Sequence, residues 1–341
     1  MIGAALSAAY GAVATWRRRW YGGRPSRRVH LSQPVISVGN LSVGGSGKTP
    51  ATACIARLLV ERGERPAILS RGYARQHAST DVTVVSDRSC VLADVAHAGD
   101  EPLLLAQSLP GVPVLVCANR HRAGLVAEAQ FEATVHLLDD GFQHVKLARD
   151  IDLLLVDAVD LADRVLPGGR LREPLANASL AHAVIVPGVD GTTARAIAEQ
   201  LGVAHAFVMT RALGPATALP GSAPLAPDAS VFAVAGIARP ERFFADLRTI
   251  GVKLSGTRVF PDHHQFTPRD IAAIVDDARA AGAAAVVVTE KDAVRLTGMD
   301  LSATAFAAVP LLARIEPAEA FATWLIERLV RARASRGADR S

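Results

Sequence analysis

P-V-I-S-V-G-N-L-S-V-G-G-S-G-K-T-P, residues 34–50, sets the reading of the whole chain. An apolar, β-like run at 35–38 enters a glycine-rich loop, and Lys48-Thr49 leads into a segment of helical spacing. A phosphate-binding loop needs that order. Glycines let backbone N–H groups turn inward on a polyphosphate, a lysine ammonium reaches the β and γ oxygens, and a threonine hydroxyl sits on Mg²⁺. The N-terminus of the following helix adds partial positive charge at the same spot. Pro50 fits, because a proline in the first helical turn gives up no N–H bond. The candidate nucleotide contacts are therefore Gly44, Gly45, Ser46, Gly47, Lys48 and Thr49. The general pattern G-x-x-x-x-G-K-[ST] would start at position 42, which is Ser42 here; the glycines stand at 39, 44, 45 and 47.

Outward from this loop, strands and helices alternate. Helical spacing runs over 49–63, and buried strands are expected at 66–70, 112–117, 134–140, 151–157 and 183–187, with a short one at 81–86. Helices are expected from Gly99-Asp100-Glu101-Pro102 onward and over 120–130. This alternation predicts a P-loop NTPase-like α/β/α layer with a doubly wound, largely parallel sheet. Ligands of such sheets collect at the carboxyl ends of the strands, so Arg71, Asp100, Asp139, Asp140 and Asp157 are expected near Lys48. Between 213 and 229 the composition shifts to Gly, Pro, Ala and Ser, the mark of a linker or hinge. A second, smaller α/β pattern follows, with strands at 231–235, 253–260 and 284–288, helices at 240 onward and 268–281, a strand near Leu311 and a final helix over 317–333. The expected organisation is a terminal segment 1–30, a kinase-like core 31–212, a linker 213–229 and a second α/β unit 230–341.

The composition agrees. Half of the 341 residues are apolar and only 5% aromatic, so the core is built of Ala, Val, Leu and Ile, as buried parallel strands require. Cys54, Cys90 and Cys117 lack metal-ligand spacing and read as reduced core residues. The net charge of +4 is localised: residues 1–30 hold six arginines and no acid, which leaves −2 for the remainder. That distribution argues against a nucleic-acid groove. The uncharged run at 1–16 is shorter than the ~20 residues of a spanning helix. Its charges follow the apolar stretch, the reverse of a signal peptide. An interfacial helix is expected, with Trp16, Trp20 and Tyr21 at headgroup depth and the arginines on an anionic membrane surface. The plainer alternative is a helix packed on the protein with a solvated basic end.

Asp139-Asp140, at the end of an apolar strand, is the second nucleotide signal. Adjacent carboxylates repel, and Mg²⁺ beside them relieves that repulsion while gripping the β and γ phosphates. Asp100 and Glu101 read either as helix N-terminal charges or as site residues. His263 and His264, after Asp262, read either as surface residues or as the source of a catalytic imidazole. Arg71, Arg75, Arg120 and Arg172 are the candidate positive clamps. A guanine-reading N-K-x-D is not met by Thr289-Glu290-Lys291-Asp292, and the extra lysine of partitioning ATPases would fall near Val43. Both points weigh against the alternative class, a P-loop ATPase or GTPase switch acting through partners. A soluble metabolite kinase would leave the terminal segment unexplained.

These residues carry a resemblance. G-N-L-S-V-G-G-S-G-K-T-P (39–50), L-S-R-G-Y-A-R (69–75), G-D-E-P (99–102), L-D-D-G-F-Q-H (138–144), L-R-E-P (171–174), A-G-I-A-R-P-E-R-F-F (235–244), F-P-D-H-H-Q-F (260–266) and T-E-K-D-A-V (289–294) resemble the tetraacyldisaccharide 4'-kinases, the lipid A 4'-kinases of Gram-negative bacteria. The family's loop also lacks the first glycine, so Ser42 agrees with it. The resemblance implies ATP- and Mg²⁺-dependent phosphorylation of the 4'-hydroxyl of a tetraacylated disaccharide 1-phosphate at the cytoplasmic face of the inner membrane. No nucleic-acid partner is expected from the charge distribution, and no obligate protein partner is evident in the sequence. The resemblance also implies two α/β/α units with the site in the cleft between them. By motif, Lys48 and Thr49 serve phosphate and metal, and Asp139, Asp140 and Glu101 serve the metal. Asp100 becomes the base for the sugar hydroxyl, paired with His263. Arg172 and Glu173 match family positions whose roles the sequence does not separate.

Overall fold

The computed structural model describes residues 2–45, 47–73, 75–77, 79–223 and 229–338. Ser46 and part of the expected linker lie outside the described residues.

The chain opens with helix α1 (Ile2–Gly22) and then enters β1 (Val35–Asn40), whose six residues are all buried. There follow α2 (Lys48–Glu61), β2 (Pro66–Ser70), β3 (Thr83–Ser86), the one-turn α3 (Val95–Ala98), α4 (Asp100–Ser108), β4 (Val114–Val116) and α5 (Arg120–Phe131). Next come β5 (Val135–Asp139), β6 (Ile151–Leu155), β7 (Ala183–Pro187), α6 (Gly191–Leu201) and β8 (Ala206–Leu213). The remainder holds β9 (Thr217–Ala218), β10 (Val231–Ala235), α7 (Pro240–Thr249), β11 (Leu254–Val259), α8 (Pro268–Ala280), β12 (Ala285–Thr289), α9 (Glu290–Arg295), β13 (Ala305–Val309), β14 (Leu311–Glu316) and α10 (Ala318–Ala338).

Two sheets result. The larger has the order β14-β8-β7-β6-β1-β5-β2-β4-β3, parallel except for its two antiparallel edge strands β14 and β3. The order places β1 between β5 and β6, near the middle of the sheet, so the loop after it opens at the carboxyl edge. Side chains alternate between the layers. Ile36, Leu137 and Leu153 pack beneath α2, α4 and α10, whereas Val35 and Leu138 face α5, and Leu154 faces α6. The smaller sheet, β11-β10-β12-β13-β9, is parallel except for β9. It is covered by α8 on one face and α7 on the other.

The sequence assigned 230–341 to the second unit, but the hydrogen bonds divide that stretch. β14 pairs with β8 of the large sheet over Leu311 to Glu316, and α10 buries Phe321, Leu325 and Leu329 in that sheet's core. Apolar periodicity reports that an element is buried but not which sheet buries it. The expected linker contributes β9 to the small sheet. Elements α6 and β8 fall in a stretch from which the sequence yielded none. Cys54 and Cys117 are buried or half-buried, but Cys90 is exposed, so its reading as a core residue is corrected.

Close packing behind the phosphate loop explains one glycine. A Cβ on Gly39 would stand 2.6 Å from Phe142 Cβ and 2.8 Å from its backbone nitrogen. Gly39→Ala is therefore expected to lower stability by about 1–3 kcal/mol, the usual cost of overpacking a core. Urea unfolding of the variant against the parent measures it; an unchanged midpoint would refute the steric reading.

Candidate active site

The site lies where the carboxyl edges of the two sheets face each other, around a cleft of about 1260 Å³. Its floor is the loop after β1. Gly47, in the left-handed region at φ 83°, turns the chain into α2, which starts at Lys48 as the glycine-to-helix spacing predicts. Lys48 Nζ donates to Asn40 Oδ1 at 3.1 Å and stands 3.7 Å from Asp140. Arg172 reaches the same place from its loop, donating to Asp140 (2.8 Å), Asn40 (3.0 Å) and Gln143 (3.3 Å). Gly44, Gly45, Gly47, Lys48, Thr49, Asp139 and Asp140 all line the cleft.

The paired carboxylates differ in environment. Burial, then Glu101 and Asp140, push the Asp139 carboxyl up to about 7. Asp139 is nearly inaccessible and accepts one bond, from Thr52 Oγ1 at 3.2 Å. Asp140 is only half-buried, and Lys48 and Arg172 outweigh its desolvation and hold its carboxyl below the usual range. Its Oδ1 is shielded from solvent without a hydrogen bond, and its backbone is left-handed at φ 53°. An ionised oxygen without a donor, beside a carboxyl raised by its neighbours, is a donor set suited to a hard cation. Among the described residues no group of three or more His, Cys, Asp or Glu side chains is arranged to hold a metal ion by itself.

Asp100 opens α4 after Gly99, whose φ is 84° and whose Cβ would stand 2.8 Å from Tyr73 O. His263 Nδ1 is 2.9 Å from Asp100 Oδ2, so the sequence-separated pair does meet. His263 is itself left-handed, at φ 62°. Burial alone would raise Asp100; the His263 hydrogen bond and the charges of Lys291 and Arg295 reverse this and hold it well below the carboxylate range. Arg295 is buried, donates through Nε (3.1 Å) and Nη2 to Asp100 Oδ2, and reaches Asp292 (3.0 Å) and Gly236 O (2.9 Å) through Nη1. Lys291 bonds Glu101 at 3.2 Å and stands 3.5 Å from His263 Nε2. His263, Glu101 and Lys291 line the cleft, with Asp100 behind them.

Other candidates separate. Arg71 and Arg120 line the cleft; Arg120 is buried, its Nε lacks a partner, and burial, then Arg71, lower it to about 10. Arg17, Lys146, His121 and His144 line the same end. There burial, then Arg120, Arg149, Arg17 and Lys146, push His144 down to about 3, so this end is strongly positive. Arg75 turns to Ser79 O. Asp157 pairs with Arg239 at 2.8 Å. His264 bonds Asp270 at 3.1 Å and stacks on Phe260, a packing role. Glu173 lies outside the cleft, buried against Arg18 at 2.6 Å. Arg18, which the sequence set among the lipid-facing arginines, is thus buried. Asn40, Gln143, Lys291 and Arg295 were not singled out by sequence. Lys291 stood inside a noted motif; Arg295, one helical turn after it, gave no signal of its own.

On the outer side of α1, Leu6, Tyr10, Val13, Trp16 and Trp20 are exposed. No helix among the described residues is long and apolar enough to cross a membrane.

Comparison with known proteins places these features in context. The family profile for "Tetraacyldisaccharide-1-P 4'-kinase" matches residues 1–330. The tetraacyldisaccharide 4'-kinase of Geobacter metallireducens is 40% identical over 300 residues, covering 86% of this chain and 87% of its own. That of Desulfotalea psychrophila is 38% identical over 327 residues, 91% of each chain. The crystal structure of LpxK from Aquifex aeolicus in complex with ATP superposes with a TM-score of 0.75 at 31% identity, covering 95% of this chain and 97% of that one.

Arg295 bridges two buried acids, so removing it takes from Asp292 its main counter-charge and leaves Asp100 with only His263 and, at 3.9 Å, Lys291. Arg295→Ala is expected to cost about 3–5 kcal/mol of stability, as for other broken buried pairs. Thermal and denaturant unfolding test this; a loss under about 1 kcal/mol, typical of an exposed pair, would contradict it.

Proposed function

The chain belongs to the tetraacyldisaccharide-1-P 4'-kinase family, and from that premise we propose how its residues divide the work. The protein is an ATP-dependent kinase of lipid A biosynthesis, acting on the 4'-hydroxyl of tetraacyldisaccharide 1-phosphate. A partner-binding P-loop switch is not favoured. One observation carries the division of roles: a single cleft joins Lys48, Asp140 and Arg172 from one sheet to the Asp100–His263 pair that spans both.

In this reading the loop amides of Gly44, Gly45 and Gly47, with Lys48, take the β and γ phosphates of ATP, and Arg172 bears on the transferred group. Phosphate oxygens replace Asn40 and Asp140 as the partners of Lys48. Mg²⁺ would be held by Thr49, Asp139 and Asp140 with Glu101 alongside, and when bound it neutralises charge on the phosphates. The sugar hydroxyl, whose pKa lies far above 7, gives its proton to the Asp100–His263 pair as the new P–O bond forms. The bond from the γ-phosphorus to the β–γ bridging oxygen breaks, and ADP leaves with that electron pair. A carboxylate held as low as Asp100 is a weak base by itself. The pair acts as one unit, with His263 on the cleft wall and Asp100 fixing its ring. Lys291 holds Glu101 and His263 in place. The positive end around Arg71 and Arg120 suits the substrate's 1-phosphate, on the far side of the sugar from the reacting hydroxyl.

The exposed apolar stripe of α1 belongs at the membrane surface, where an acylated substrate resides, on the cytoplasmic face of the inner membrane that supplies ATP.

Radiolabelled ATP with the lipid disaccharide acceptor is the direct test, and label must move only when the acceptor is present. Asp100→Ala should lower turnover about 10²–10⁴-fold, the usual worth of acid–base catalysis, while the ATP dissociation constant stays within about threefold. Near-normal turnover would remove Asp100 from the mechanism. Separately, Trp16→Ser with Trp20→Ser should reduce cosedimentation with anionic vesicles; undiminished binding would rule out the α1 stripe as the contact.

A further inference from the structure

Arg172 and Glu173 are neighbours in sequence that face opposite ways. Arg172 enters the phosphate site, where it bonds Asp140 and Asn40. Glu173 is buried and receives both arms of Arg18, from Nε at 2.6 Å and Nη2 at 2.7 Å. Asn177 donates to the same carboxylate at 2.8 Å. Arg18 also donates through Nη2 to Phe142 O at 2.8 Å, and its guanidinium lies 4.0 Å from the centre of the Phe142 ring. Phe142 stands two residues after Asp140 and presses on Gly39 behind the phosphate loop.

Arg18 sits on α1 on the face opposite the exposed stripe: Gly11 and Arg18 are buried, whereas Val13, Trp16 and Trp20 are exposed. One helix therefore offers an apolar side to its surroundings and an arginine to the catalytic loops. A surface anchor needs only the first. An arginine 5% exposed and bound through Nε and Nη2 to two separate loops fixes the place of α1 relative to them.

We propose that Arg18 and Glu173 form a positioning latch through which the seating of α1 sets the geometry of Arg172 and of the loop from Asp139 to Phe142. The proposal rests on the kinase reading above. Neither residue touches nucleotide or acceptor; both act through Arg172 and Asp140. Docking of α1 then does more than bring the enzyme to its substrate, because a displaced α1 releases the two loops that hold the phosphoryl group.

The test uses the full-length chain in detergent micelles with dispersed lipid acceptor, where partition to a membrane does not limit the rate. Arg18→Met is expected to lower kcat at least tenfold at saturating ATP and acceptor, with the KM for the acceptor changed less than threefold. Arg18→Lys restores the charge but not the two-loop fork, and Glu173→Gln keeps the shape but not the charge. Each should fall between Arg18→Met and the parent in kcat while unfolding within a few degrees of it, so the proposal stays testable if Arg18→Met fails to fold. Full kcat in micelles for all folded variants, with weaker vesicle binding alone, would overturn the latch and leave Arg18 a plain anchor. A kcat loss that merely follows the drop in folded protein would overturn it too. If the parent itself does not phosphorylate the disaccharide, the kinase reading fails, and that outcome is distinct from a parent that turns over and a variant that does not.

Discussion

A single carboxylate oxygen ties the two sheets together. Asp100 Oδ2 accepts from Arg295 and from His263, both supplied by the segments that surround the small sheet, while Asp100 itself starts a helix of the large one. An ionised carboxylate at this depth loses hydration worth several kcal/mol, so it is stable there only while donors and cations face it, here His263, Lys291 and Arg295. Arg295 is in the same position, and Asp292 completes the row with backbone N–H of Gly236 and the hydroxyl of Thr289. Charge satisfaction here acts together with apolar contact, since Val294 of α9 packs into the core of the large sheet beside α4. The same row leaves Asp100 with one defined orientation toward His263.

On the opposite wall the balance is looser. Lys48 is held by a neutral amide at 3.1 Å and by Asp140 at 3.7 Å, beyond hydrogen-bond reach. Neither partner is strong enough to compete with a polyphosphate, whose oxygens offer charge and hydrogen bonds together. Asp139 shows the converse. It is surrounded by acids and burial, with one hydroxyl donor, and so is pushed toward neutrality. The wall thus leaves Lys48 weakly paired and Asp139 and Asp140 short of donors, which is what the proposed nucleotide and cation roles require. The contrast with the tightly paired Asp100 matches the division proposed between groups that bind the nucleotide and groups that orient the attack.

What the sequence disclosed follows from the range of each interaction. The strand, glycine loop and helix around Lys48 are local, and so are the acids that end β5; both stood where periodicity and spacing predicted. The β/α alternation also gave the parallel sheet. The return of β14 and α10 to the large sheet was not legible, because a strand of six apolar-patterned residues pairs equally well with either edge. Arg295 escaped notice for a similar reason. Its partners lie 195 residues upstream and one turn away on its own helix, and an arginine near a helix end ordinarily reads as a dipole charge. Arg18 was read with its neighbours as part of a basic run; only packing separates the one that turns inward from those that do not.

The absence of the first loop glycine acquires a physical reason in this setting. Ser42 is buried, its Oγ donates to Asp160 at 3.0 Å, and its carbonyl accepts from the Asn40 amide at 2.7 Å. The residues beside it are laced to the segment that carries Arg172: Val43 N donates to Arg170 O at 2.8 Å and Arg172 N to Leu41 O at 2.6 Å. A glycine at 42 would keep the backbone bonds but lose the hydroxyl, leaving Asp160, itself raised by burial, with less support. The loop therefore gives up some of the freedom a glycine would confer and gains a fixed attachment to Arg172. Because Glu173 follows directly and is held by α1, the loop, the clamp and the terminal helix form one mechanically continuous unit. With α1 seated on a lipid surface as proposed, this chain of short contacts would carry that seating to the phosphate loop.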